Sequence, residues 1–118
     1  MKYFTLDELT HSDTARRRGI ENVPGQAHID NLVRLVENTL DPAREALGEP
    51  VKVNSGFRSK QLNAAVGGAP RSYHLQGRAA DLTTGSNEGN LRLYKILHRL
   101  PHVELIWEQG GKWVHVAL

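Results

Sequence analysis

Ile29, Leu32, Val33, Val36 and Leu40 recur at the three- and four-residue spacing of a single helical face, so the chain after Pro24 reads as a helix. Pro42 lacks an amide hydrogen, and its ring collides with the carbonyl four residues back. It should kink or interrupt this helix, with Ala43–Leu47 continuing to a stop at Gly48. A second stripe, Leu93, Ile96, Leu97 and Leu100, predicts another helix, capped by Ser86 and closed by Pro101. Near the start, Thr5 and Glu8 have the spacing of a capping box that opens a short helix. Ser59 is placed to cap a small helix through Ala65, ended by Gly67 and Gly68.

The period changes elsewhere. Val51–Gly56 predicts a short strand that leaves into a loop, and "AADL", residues 79–82, predicts a second, buried one. The run "VELIWEQGGKWVHVAL" is two strand-like segments around Gly110-Gly111, a strong hairpin signal. A two-residue turn there pairs Gln109 with Lys112, Glu108 with Trp113, Trp107 with Val114, and Ile106 with His115. Alternation then puts Glu104, Ile106, Glu108, Trp113 and His115 on one face, with Trp107 turned to the core. The expected class is α+β, with helices packed on a small, largely antiparallel sheet and residues 1–118 forming one domain.

Composition narrows the function. At 39% hydrophobic and 24% charged residues the chain has an ordinary globular balance, and a formal charge of +2 is too small to argue for nucleic acid. Arg16, Arg17 and Arg18 are a phosphate patch or the solvated face of a short helix; without interleaved aromatics, no nucleic-acid partner is expected. The polar N-terminal stretch lacks the apolar centre of a signal peptide, and no run approaches a membrane span. The expectation is a monomer made in the cytoplasm, with no membrane partner; action beyond the membrane would require release by something else. Cysteine is absent, which excludes disulfides, a thiol nucleophile and thiolate metal sites. Any metal must rest on His, Asp and Glu.

His74 and Asp81 sit seven positions apart around Gly77, Ala79 and Ala80, small residues that let backbone wrap closely around an ion. With His115 they supply three nitrogen and oxygen donors, the set a catalytic zinc takes when its fourth position is left open. The alternative is three unrelated surface or core residues. Glu108, on the His115 face, is a candidate general base or an ordinary exposed hairpin glutamate. Arg58 offers a planar fork to a substrate carboxylate, or else a surface ion pair. Ser72 could bond a ligand or substrate backbone, or be structural, and Trp113 could wall a pocket. His11, His28, His98 and His102 have no such context and read as surface residues.

The blocks "SGFRS", "NAAVGGA", "SYHLQGRAAD" and "LIWEQGGKWVHV", in this order and spacing, resemble the zinc D-alanyl-D-alanine carboxypeptidase family. That family includes L-alanyl-D-glutamate endopeptidases and shares its fold with the hedgehog signalling domain. The similarity spans Asn54–Leu82 and Leu105–Val116 and is nearest the short phage or prophage members. It implies one zinc per chain held by His74, Asp81 and His115, with Glu108 as the carboxylate that activates water. Arg58 would grip substrate, and Ser72 and Trp113 would line its site. The implied activity is hydrolysis of the peptidoglycan stem peptide, as a D-Ala-D-Ala carboxypeptidase or an L-Ala-D-Glu endopeptidase; action on the wall after phage-assisted release fits this, and so does a bacterial cytoplasmic recycling enzyme. A non-hydrolysing zinc-containing binding module of the same fold is the alternative. The chain departs from the common pattern at Val103 and Glu104, where aspartate and glutamine are usual, and at Ala117, where serine commonly stands.

Overall fold

The computed structural model describes residues 1–118, and its elements follow the hydrophobic pattern closely. Helices α1 (Leu6–Thr10), α2 (Asp13–Arg18) and α3 (Gln26–Leu35) come first. Thr5 and Glu8 form the expected reciprocal capping box on α1. Arg16, Arg17 and Arg18 occupy the exposed last turn of α2, and Arg16 pairs with Asp13. The triplet is a solvated helix face.

Just before Pro42 the long helix changes its hydrogen-bonding pattern. α3 passes through a π-helical turn, Val36–Leu40, into α4 (Asp41–Leu47). In that turn the Asp41 amide donates to the Val36 carbonyl, five residues back. The wider turn gives the proline ring room and leaves Leu35, Val36 and Leu40 facing the core. Gly48, at φ 74°, stops α4 as expected.

The sheet contains β1 (Lys52–Ser55), β2 (Ala79–Thr83), β3 (Glu104–Glu108) and β4 (Trp113–Ala117), in the order β1-β2-β4-β3. Every neighbouring pair is antiparallel. Helix α5 (Lys60–Ala65), capped by Ser59, and a 3-10 turn, Tyr73–Gln76, lie between β1 and β2. Helix α6 (Asn87–His98) lies between β2 and β3, with Leu93 and Leu97 buried. One face of the sheet sends Ala80, Leu82, Val114 and Val116 into a core shared with Leu32, Leu35, Val36, Leu40, Leu93 and Leu97. This is an α+β fold with helices covering one side of the sheet. The other face, with period-2 alternation, carries the chemistry.

The hairpin differs from a two-residue turn. Glu108 pairs with Trp113, Trp107 with Val114, and Ile106 with His115, as expected, but Gln109 and Lys112 lie outside the ladder. Residues 109–112 form the loop, with positive φ at Gln109, Gly110 and Gly111. Both Gly111 and Lys112 amides donate to the Glu108 carbonyl. Trp107 is not core either. It is 37% exposed, edge-on to Tyr94, and lies over Gly111.

Candidate metal centre and cleft

Strand pairing builds the centre. Ser55 opposes Asp81 and Asp81 opposes His115, so three adjacent strands, β1, β2 and β4, place these side chains in one row on the outer face. His74 comes from outside the sheet, on the 3-10 turn, and is held at two points. Its Nδ1 donates to the Gly56 carbonyl at 2.6 Å, and its own carbonyl accepts the Arg58 amide at 3.0 Å. Ser72 caps the turn, its hydroxyl accepting the His74 amide.

Two glycines permit this arrangement. A Cβ on Gly56 would lie 2.2 Å from the Leu9 carbonyl oxygen, where β1 leaves the sheet against α1. Gly77 has φ 70°, and a Cβ there would lie 2.5 Å from the His28 carbonyl oxygen. His28 is itself structural rather than a plain surface residue. It is half-buried, its ring packs on Phe57, and its Nδ1 accepts the Gly25 amide at the start of α3.

His74, Asp81 and His115 are all buried, and one donor atom from each lies within 4.8 Å of the others. Because Nδ1 of His74 is committed to Gly56, Nε2 faces the cluster, 3.3 Å from Asp81 Oδ1. His115 Nδ1 is 2.8 Å from the same oxygen. Ligands bonded tetrahedrally to zinc at roughly 2.0–2.1 Å stand about 3.4 Å apart, and both histidine nitrogens stand near or a little inside that separation from Asp81 Oδ1. The residues fit a three-ligand metal site.

The electrostatics reflect how tightly these groups are packed. Burial alone would raise the Asp81 pKa, but hydrogen bonds from His115 and His74 outweigh it and hold the carboxyl well below the ordinary carboxylate range. Burial pushes His115 down, yet Asp81 and then Glu104 hold its imidazole above the usual value. Both ring nitrogens of His115 have carboxylate partners, Asp81 at Nδ1 and Glu104 at Nε2, the latter at 2.5 Å. Only the doubly protonated ring can donate to both.

Arg58 stands beside the cluster. Its Nε donates to Ser55 Oγ at 3.1 Å and its Nη1 to Asn63 Oδ1 at 3.2 Å, while Nη2 lies 3.6 Å from Asp81 Oδ2. Burial lowers the guanidinium pKa and the Asp81 charge opposes that shift. Asn63, buried and bonded also to the Ala69 carbonyl, fixes the fork; it opens the "NAAVGGA" block, but its bond to Arg58 emerges only from the structure.

All of the proposed residues meet in one cleft of about 390 Å³, lined by Arg58, Ser72, His74, Asp81, Trp113 and His115 together with Glu104, Glu108 and Arg71. Glu108 is on its wall with no hydrogen bond or ion pair from its carboxylate to another protein group, whereas Glu104 is bound to His115. A second depression, of about 340 Å³, lies beyond Arg58 between His11–Thr14 and β1, away from the donor cluster. Glu104 and Ala117, two of the three departures from the common pattern, are direct cross-strand partners.

Residues 2–117 match the Peptidase M15 family. The chain belongs to that family. It is also 52% identical over 48 residues to a zinc D-Ala-D-Ala carboxypeptidase of Streptomyces albus G. The aligned stretch is 40% of this chain and 19% of that protein, so the chain covers about a fifth of its relative's length.

Proposed function

We propose that residues 1–118 form one zinc peptidase domain that cuts the stem peptide of peptidoglycan. The observation that carries this reading is the convergence of His74, Asp81 and His115 beside an unpaired carboxylate, Glu108, and a fixed guanidinium, Arg58. His74 Nε2, Asp81 Oδ1 and His115 Nδ1 would hold the ion. Bound there, zinc supplies Lewis-acid polarisation of the scissile carbonyl and lowers the pKa of water towards about 7. The Glu108 carboxylate takes the proton of the attacking water and passes it to the departing nitrogen, a contribution of roughly 10²–10⁴-fold. Arg58, clamped by Ser55 and Asn63, presents its Nη2 end to a substrate carboxylate. Trp113 provides an apolar wall and Arg71 a further cation at the cleft.

The similarity to the Streptomyces zinc D-Ala-D-Ala carboxypeptidase favours the terminal D-Ala-D-Ala bond over the L-Ala-D-Glu bond. Mass spectrometry of purified stem-peptide fragments, incubated with the zinc-loaded protein and with a chelator, tests both statements. Loss of one terminal D-alanine, abolished by chelator, is expected. Separation of L-alanine from D-glutamate would keep the peptidase and change the bond. No cleavage of any fragment by fully loaded protein would favour a binding module instead.

A further inference from the structure

Glu104 is a charged residue committed to the site without belonging to the donor cluster. It begins β3 directly opposite Ala117, which is fully buried and carries only a methyl group. Its side chain therefore has room to lean along the strand to the diagonal neighbour His115, a separation that long side chains can bridge. There its Oε1 meets His115 Nε2 at 2.5 Å, while Nδ1 of the same ring faces Asp81. A ring nitrogen that carries a hydrogen for one partner leaves the other nitrogen free for a metal.

We propose that Glu104 is the positioning residue of the centre: it keeps the hydrogen on Nε2 of His115 and so presents Nδ1 as the third ligand. This rests on the zinc reading above and assigns the ligating atom within it. Without Glu104, the ring can rotate, or carry its hydrogen on Nδ1 towards Asp81, and either change withdraws the donor. Asp81 and His74 need no such help, because His74 is set by Gly56 and Asp81 by its place in the central strand.

The carboxylate side chain of Glu104 is 39% exposed, so truncation leaves little void, and the variants are expected to fold. The test is zinc affinity by chelator competition for the wild type, Glu104→Ala and Glu104→Gln, with circular dichroism to check folding. Removal of an outer hydrogen-bond partner of a ligating histidine typically costs about 10–100-fold in affinity, and Glu104→Ala is expected to lose that much. Glu104→Gln should recover most of it, because its amide oxygen still accepts from Nε2–H. A long-range proton–nitrogen NMR spectrum of the zinc-loaded wild type should show His115 protonated at Nε2.

Each outcome has a meaning. Wild-type affinity in Glu104→Ala overturns the positioning role. Equal losses in Glu104→Ala and Glu104→Gln overturn it too, since a metal ligand would be lost in both. A proton on Nδ1 with metal on Nε2 overturns the atom assignment. Failure of the wild type itself to bind zinc would instead sink the metal reading, which keeps the two failures separate.

Discussion

Glu104 and Glu108 stand four residues apart on one strand face and have different environments. Glu104 is tied to His115, whereas the Glu108 carboxylate has no protein partner and lines the cleft. The Glu108 carboxylate is available to take a proton from water, whereas one oxygen of Glu104 is already engaged by the His115 ring. Glu108→Gln should therefore bind zinc normally and lose about 10²-fold or more in turnover. Arg58→Lys serves as its counterpart, because lysine keeps the charge but cannot reach Ser55, Asn63 and the substrate together. It too should keep zinc and fold while losing most activity. Turnover and zinc content measured together on both variants check these roles, and wild-type kinetics in either would remove that residue from the mechanism.

At the scale of elements, the position of the β3–β4 loop is set by α6 rather than by the turn alone. Asn90, buried near the start of α6, donates through Nδ2 to the Gly111 and Lys112 carbonyls at 2.8 and 3.1 Å and accepts the Thr84 amide at 2.7 Å. Asn87 adds a bond to the Gly110 carbonyl. Replacing Asn90 leaves the buried Gly111 carbonyl without its partner, at a cost of about 1–3 kcal/mol, and releases the less buried Lys112 and Thr84 groups beside it. Asn90→Ala should lower the melting temperature and weaken substrate binding through Trp113, with a smaller effect on zinc, whose ligands lie farther from the loop. Thermal unfolding and KM measured on the variant check this.

For the whole molecule, the centre ties a loop turn to the middle of the sheet, and its charges make stability depend on pH. In metal-free protein, the depressed Asp81 pKa contributes stability that is present above its unfolded value, about 3.9, and lost as pH falls towards the folded one. The raised His115 pKa contributes stability that is full below about 6.5 and lost as pH rises through its folded value. Melting temperature in chelator should therefore be highest between about pH 4 and 6.5 and decline on both sides. Zinc must displace the proton on His115 Nδ1, so its stabilisation should grow with pH across the range where the metal-free protein weakens. Melting curves with and without zinc from pH 4 to 9 test both trends. A zinc effect independent of pH would mean that His115 is not a ligand.

The strand register from Ile106–His115 to Glu108–Trp113, the capping of α1, α5 and α6, and the stop at Gly48 were legible in the sequence. Each depends on periodicity or on groups within a few residues of one another. That His74, Asp81 and His115 belong together with Arg58 and Glu108 was implied by the family resemblance, and the structure brings all five to one cleft. Other features were not legible in the sequence. Pro42 showed that the helix must yield, but the π turn that absorbs it depends on the packing of Leu35 and Leu40. Trp107 alternates away from the cleft, yet it stays at the surface, edge-on to Tyr94 of α6 and lying over Gly111. The grip of Asn63 on Arg58, the anchoring of the loop by Asn90 and the choice of nitrogen on His74 and His115 are contacts across up to 34 residues of chain. Local sequence determined which groups were present and which face they took; only the meeting of distant segments decided which atoms of those groups point at one another.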